Sequence, residues 1–261
     1  MAFTNKPLVI AIVVVLGIGA IGAGLFAASL MPMATESDTI RITLLSNAGI
    51  MIEDDGLRIY VDPVDLPSNY TDLPADIILV THPHGDHYQT DVIDMLQKED
   101  TVNIFPSNMS DAVTLYDAIG VEPLDQVQVG AVNITAFYMY TWAPEPYEAS
   151  HPPENNWTSY IIDINGFVIF HAGDSKNLPE YQQIAGQIDV VCLPLGPGCQ
   201  TMAEDEVVEA IQALEPDYFI PIHFTEGREQ LFMLVYGADI SDTTECEALV
   251  LAHYEYHEFE L

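Results

Sequence analysis

Basic residues are almost missing from this chain. Six lysines and arginines stand against 40 aspartates and glutamates in 261 residues, a formal charge of −34. Little that is basic can neutralise a phosphate backbone, which excludes nucleic acid as a partner. So acidic a surface repels itself at low ionic strength. It fits a protein living in high salt, or an ordinary acidic secreted one. Cysteine is also scarce. Cys192, Cys199 and Cys246 cannot build a disulfide framework. Cys192, inside the apolar run 190–193, reads as core, and Cys199 has no histidine near it in sequence. No Ser-His-Asp or Cys-His set stands out, so side-chain nucleophiles have no strong candidate. Past residue 38 there is no internal linker, charge block or low-complexity stretch, and residues 39–261 read as one domain.

One long hydrophobic run is present. Residues 7–35 carry no charge, and residues 8–30 are 23 almost unbroken apolar positions, enough to cross a hydrocarbon core of about 30 Å as a helix. Lys6 precedes the run, and Glu36 and Asp38 follow it. This predicts a single-pass membrane anchor and tether over 1–38, with the rest outside the cytoplasm. Ala27-Ala28-Ser29 keep a cleaved signal peptide, and hence secretion, as the rival. Four sequons, at Asn69, Asn108, Asn133 and Asn156, agree with a location outside the cytoplasm. The formal G-x-G-x-x-G at Gly17–Gly22 has no strand before it and reads as part of the membrane-length run.

The remainder alternates strand-like and helical patterns. Strands are predicted at 40–45, 57–61, 77–80, 102–105, 132–138, 159–164, 167–170, 190–193 and 218–222. Asn165-Gly166 is a two-residue hairpin signal. Thr201 and Glu204 form a capping-box pattern before Val207, Ile211 and Leu214. Met109, Val113 and Tyr116 make a second helical stripe ended by Gly120. Early hairpins followed by such alternation predict a layered α/β domain.

Residues 81–88 carry most of the chemistry. In Thr81-His82-Pro83-His84-Gly85-Asp86-His87-Tyr88, three of the chain's eight histidines fall within six residues around one aspartate. The apolar run before it, 76–80, ends a predicted strand, so the cluster sits where a loop begins. Imidazole and carboxylate are ligands for zinc, iron and manganese. One loop seldom fills a metal site. His151, His171 and His223 each lie at a further boundary between an apolar run and a loop, with Asp174 three residues after His171.

The order H-x-H-x-D-H, lone His, G-D and late His resembles the metallo-β-lactamase superfamily. Arg58–Pro63 resembles that family's early strand ending in Asp. Leu195-Gly196-Pro197-Gly198 with Thr201-Met202, and Pro221-Ile222-His223-Phe224, resemble segments of the branch containing L-ascorbate-6-phosphate lactonase. The resemblance spans about residues 40–261 and implies the superfamily's αβ/βα four-layer sandwich. It implies two divalent metals, zinc first, with Mn2+ or Fe2+ as alternatives. His82, His84 and His151 would hold one metal; Asp86, His87 and His223 the other; Asp174 would bridge them, and Asp62 would orient ligands. The chain departs from the pattern at Ser46-Asn47-Ala48, where many relatives carry G-H-A, and at Cys199. The flanks of His151 match poorly, and its spacing of 23 residues before Asp174 supports it.

Two such cations sharing one water give hydroxide near neutral pH, ready to attack a carbonyl or phosphorus. Asp86 or Asp174 would accept its proton, and both are candidate catalytic residues. His171 reads as structural or as a support for the ligands. The expectation is a hydrolase of a small-molecule ester, lactone or phosphodiester. A phospholipase-like enzyme acting on membrane lipid is a second reading, with Tyr138, Tyr140, Trp142, Tyr147 and Trp157 as its apolar candidates. A non-catalytic metal-binding domain is the third, but it should have lost a ligand.

Overall fold

The computed structural model describes residues 39–196 and 200–261. They build two seven-stranded sheets. The first has the order β14-β1-β2-β3-β4-β5-β6, from β1 (Thr39–Leu44), β2 (Ile50–Asp54), β3 (Leu57–Val61), β4 (Ile77–Leu79), β5 (Val102–Pro106), β6 (Ile119–Val121) and β14 (Tyr256–Glu260). The second has the order β13-β12-β11-β10-β9-β8-β7, from β7 (Gln126–Val129), β8 (Val132–Tyr138), β9 (Thr158–Ile164), β10 (Phe167–His171), β11 (Val190–Pro194), β12 (Tyr218–Ile222) and β13 (Glu247–Ala248). The two share one pattern. From β14 to β3, and from β7 to β10, neighbours run antiparallel; from β3 to β6, and from β10 to β13, they run parallel.

The period-two alternation of strands decides which layer each side chain joins. Ile77 and Leu79 of β4 enter a core shared by both sheets. Ile78 and Val80 point the other way, into a second core with Val92, Ile93 and Leu96 of α1 (Thr90–Leu96) and Ala112 of α2 (Ser110–Leu115). Val207, Ile211 and Leu214 of α3 (Glu204–Leu214), and Phe232 of α4 (Arg228–Thr243), belong to the shared core. Phe232 reaches Phe219 of β12 with ring centroids 6.0 Å apart. Helices therefore pack on each sheet, and the domain is the layered α/β fold that the resemblance implies.

The predicted transmembrane helix is corrected. Among the described residues no helix is long and apolar enough to cross a membrane. The longest of them, α4, has 16 residues and carries Arg228, Glu229, Asp239 and Asp242; at 1.5 Å per residue it falls short of the roughly 30 Å needed. The run 8–30 lies outside the described residues. With the helix goes the expected localisation of an extracytoplasmic domain at the cell membrane.

Smaller differences have local causes. Asn165 and Gly166, at φ 54° and 95°, make the predicted turn between β9 and β10. The capping box moves two residues on: Glu206 accepts from the Ala203 N–H at 2.6 Å, while Thr201 is buried. α2 stops at Leu115, and Gly120 lies in β6 opposite Phe105 rather than closing a helix. β2, despite its apolar Ile50-Met51-Ile52, was not among the predicted strands, and neither were β6, β7, β13 and β14, which lack a strong apolar run. β14, for example, reads Tyr-His-Glu-Phe-Glu, with only Phe259 buried, and is fixed by pairing with β1 from the far end of the chain.

Candidate metal centre

The site collects at the carboxyl ends of parallel strands from both sheets, where α/β folds bind ligands. Asp62 follows β3, the 82–87 cluster follows β4, Asp174 follows β10 and His223 follows β12. His151 comes from the long connection between β8 and β9. Asp62 and His223 sit at φ 47° and 51°. Such backbone costs about 1–3 kcal/mol per residue and persists only where the surrounding structure holds it. Gly173 is required for space as well as for its φ of 56°: a Cβ there would lie 2.6 Å from Met139 Sδ. At Gly196 a Cβ would lie 2.5 Å from Thr201 Oγ1 and 3.0 Å from His223 Nδ1.

All seven predicted ligand residues converge. His82 Nε2 lies 3.1 Å from His84 Nδ1 and 3.2 Å from His151 Nε2. Asp174 occupies the middle. Its Oδ1 is 3.2 Å from His87 Nε2, and its Oδ2 is 3.5 Å from His151, 3.4 Å from His223 and 4.0 Å from His82. His223 Nε2 is 3.4 Å from Asp86 Oδ2. Three groups bring ligand atoms within 4.8 Å of one another: His82, His84 and His151; His82, His87 and Asp174; and Asp86, His87 and His223.

Hydrogen bonds outside the cluster fix which nitrogens face inward. Thr81 donates through N and Oγ1 to the two oxygens of Asp62, both at 2.7 Å. With its proton so used, Thr81 Oγ1 accepts from His82 Nδ1 at 2.9 Å. His87 Nδ1 donates to Asp62 Oδ2 at 2.8 Å. Ser150 Oγ donates to the Gln200 carbonyl at 3.2 Å and accepts from His151 Nδ1 at 2.9 Å. Each outer nitrogen thus holds a proton, and each Nε2 is turned to the centre, where it would present its lone pair to a cation. His171 is different. Its Nε2 donates to Ala48 O at 2.7 Å and its Nδ1 accepts from Gly173 N at 3.3 Å. Both nitrogens are committed, so His171 shapes the turn that carries Asp174 and is not a ligand.

This donor set fits a divalent cation. His87 Nε2, His223 Nε2 and Asp174 Oδ1 are buried without hydrogen-bond partners, a costly state that a cation between them would relieve. The two imidazole nitrogens lie 3.2 Å from Asp174 and 3.4 Å from Asp86 and Asp174 respectively, yet not in hydrogen-bond geometry. Protonation follows the same logic. Burial, reinforced by the neighbouring imidazoles, holds His82 well below its ordinary pKa. Burial lowers His151 to about 4 despite Asp174. At His87 burial also opposes charge, but Asp174 and Asp62 outweigh it and raise the pKa well above the ordinary value. His223 is raised against its burial by Asp86 and Asp174. The His223 imidazole close beside it holds Asp86 far below the carboxylate range, despite partial burial. Asp174 is lowered, because His87, His223 and His151 outweigh its burial.

Three supports were not singled out from sequence: Thr81, Ser150 and Asn47. Asn47 stands at the G-H-A departure. Its Nδ2 donates to Asp86 O at 2.8 Å and its carbonyl accepts from His223 N at 2.9 Å, so it ties the two loops together. Beside it a cavity of about 740 Å³ opens, lined among others by Asn47, Leu195, His223, Phe224 and Arg228. Of the aromatic candidates, Trp157 is buried against the rings of His82, His84 and His151, with centroids 5.3, 5.2 and 5.5 Å away. Tyr140 donates to the Glu180 carboxylate, and Trp142 and Tyr147 are exposed. Cys199 and residues 197–198 lie outside the described residues; Cys192 and Cys246 are buried free thiols.

Residues 41–223 match the family described as the beta-lactamase superfamily domain. The chain belongs to that family. A relative named a metal-dependent hydrolase, from Thermococcus kodakarensis, is 29% identical over 204 residues, covering 71% of this chain and 84% of its own. Among solved structures, a candidate metal-dependent hydrolase from Parabacteroides distasonis superposes with a TM-score of 0.68 at 25% identity, over 80% of this chain and 91% of that one. A metallo hydrolase from the archaeon Ignicoccus hospitalis shares the fold, with a TM-score of 0.70 at 19% identity, over 85% and 99%. With this kinship and its His/Asp cluster, the chain is a metal-dependent hydrolase of the metallo-β-lactamase superfamily.

Proposed function

We propose that this hydrolase holds two divalent cations, zinc before manganese or iron, and cleaves a small-molecule ester, lactone or phosphodiester. His82, His84 and His151 surround one position, Asp86, His87 and His223 the other, and Asp174 serves both. The observation that carries this reading is the trio of buried, partnerless ligand atoms, His87 Nε2, His223 Nε2 and Asp174 Oδ1, at the meeting of the three groups. When bound, cations there supply water ionised near neutral pH and Lewis acidity toward the substrate's oxygen.

The chain's own groups do the rest. Asp62 and Ser150 keep the imidazoles aimed inward. Asp174, almost fully buried, keeps its charge at the centre. Asp86 has a half-exposed carboxylate, which suits it to accept a proton and pass it to solvent. Trp157 keeps water from the far side of three imidazoles. The cavity beside His223 has room for a small molecule, with Arg228 and Asn47 as its polar groups and Leu195 and Phe224 as its apolar ones. The likeness of Pro221–Phe224 to the L-ascorbate-6-phosphate lactonase branch supports a lactone among the substrates. The surface charge makes nucleic acid an unsuitable one.

The test is elemental analysis of the purified protein, followed by chelation and assay on model esters, lactones and phosphodiesters. About two metals per chain are expected, with hydrolysis lost on chelation and regained with zinc. Metal-free protein that still hydrolyses, or protein that takes up no metal, overturns the reading.

A further inference from the structure

Helix α4 is apolar on two sides, and only one is covered. Phe232 and Ile240 face the core. Leu231, Leu234 and Val235 lie 44%, 83% and 56% exposed, and Ala238 is exposed beside them. Their spacing of i, i+3, i+4 and i+7 makes one continuous stripe on the helix surface. A helix apolar all round belongs in an interior, and in a chain of charge −34 such a stripe is out of keeping with the surface. No other described residue covers it.

The charges along α4 select its partner. The amino end carries Arg228, one of six basic residues in the chain, and the carboxyl end carries Asp239 and Asp242. Two copies of α4 laid antiparallel, with Leu234 of one against Val235 of the other, would put Leu231 opposite Ala238. They would also bring each Arg228 to the acidic end of the other helix. Arg228 pairs with Glu204 in its own chain, but its side chain is half-exposed and keeps donors free. Antiparallel helix dipoles agree with this pairing. A membrane surface does not fit, because the rim of the stripe is acidic and anionic lipid would repel it.

We propose that α4 is the contact through which two copies of this chain associate, as an antiparallel two-fold helix pair. Such an interface is self-complementary. It would lie next to the cavity beside His223, since Gly227 and Arg228 line that cavity. A pair of helices about 24 Å long is small beside the roughly 1,200–2,000 Å² of stable interfaces. The dimer is therefore reversible, and salt strengthens it by screening the charge that the two copies share.

The test is sedimentation velocity on the full-length protein, across protein concentration and from low to molar KCl. Wild type should form a dimer whose fraction rises with both. Leu234→Asp, at an exposed position where folding is not at stake, should be monomeric with an unchanged melting temperature. Asp242→Arg should weaken the dimer by setting Arg228 against a new cation, and adding Arg228→Asp should restore it. A protein that is monomeric throughout overturns the proposal. So does a dimer untouched by Leu234→Asp, which would place the contact elsewhere, for instance in the apolar run 8–30. Failure of the double substitution to restore association overturns the antiparallel arrangement.

Discussion

The two sheets have the same pattern of pairings, yet they furnish the metal centre in different ways. The first supplies four candidate ligands from one loop, His82 to His87, and braces them with one buried carboxylate: Asp62 accepts from Thr81 and His87, and Thr81 in turn holds His82. The second supplies single candidate ligands from three separate loops, each with its own support. Ser150 holds His151, His171 shapes the turn before Asp174, and Asn47, from the first sheet, holds the backbone of His223. The lesson concerns how damage spreads. Loss of a shared brace should disturb several ligands, whereas loss of a private one should disturb its own ligand alone.

Asp174→Ala should have the largest effect. Asp174 belongs to the second sheet but its carboxylate lies within 4.0 Å of four imidazoles. Its removal should cut kcat/KM by about 10³-fold, since each 1.4 kcal/mol is tenfold and such charge is worth several. Next comes Asp62→Asn, which loses the shared brace. Metal affinity, measured by competition with a chromophoric chelator, should fall about 10–100-fold. Ser150→Ala should cost clearly less, at the low end near 10-fold. Equal losses in these two variants would erase the difference between shared and private bracing.

Proton release sharpens the same contrast. His87 and His223 have raised pKa values in the metal-free protein, and both must be deprotonated to ligate. His82 and His151 are lowered and already neutral at pH 7. Metal binding around His87 and His223 should therefore weaken as pH falls through the neutral range, while binding around His82 and His151 should resist to lower pH. Calorimetric titration in buffers of different ionisation enthalpy would read the protons released. Proton uptake, or none, would contradict the assignment.

The smallest effect is spread over the whole surface. With a charge of −34, repulsion between exposed carboxylates should ease as salt is added. Melting temperature should then rise from low to molar KCl. A flat or falling curve would reject adaptation to high salt.

The same contrast explains what the sequence made legible. The four ligands of the first sheet stand within six residues, so their spacing announces them. His151, Asp174 and His223 lie where apolar runs give way to loops, and their roles as ligands came from the resemblance, with the spacing of His151 to Asp174 in its support. Thr81 and Ser150 gave no signal, and Asn47 showed only as a departure from the family pattern, not as a support. A hydroxyl or amide acquires its role from a partner distant in sequence, such as Asp62 for Thr81 or Asp86 for Asn47. Strands with continuous apolar runs, such as β4 and β11, were legible for the same reason that β14 was not. The former are buried on both faces, while β14 is defined by the strand it pairs with. The run 8–30 met a length criterion for spanning a membrane, and length alone did not establish a membrane helix.

Metal content measured side by side in wild type, His84→Ala, His223→Ala and Asp174→Ala tests the central claim most directly. Each protein would be stripped with chelator, reloaded with zinc and analysed per chain. The account predicts about two in wild type, about one in each histidine variant, and less than one in Asp174→Ala. Full occupancy in either histidine variant, or in Asp174→Ala, would contradict it.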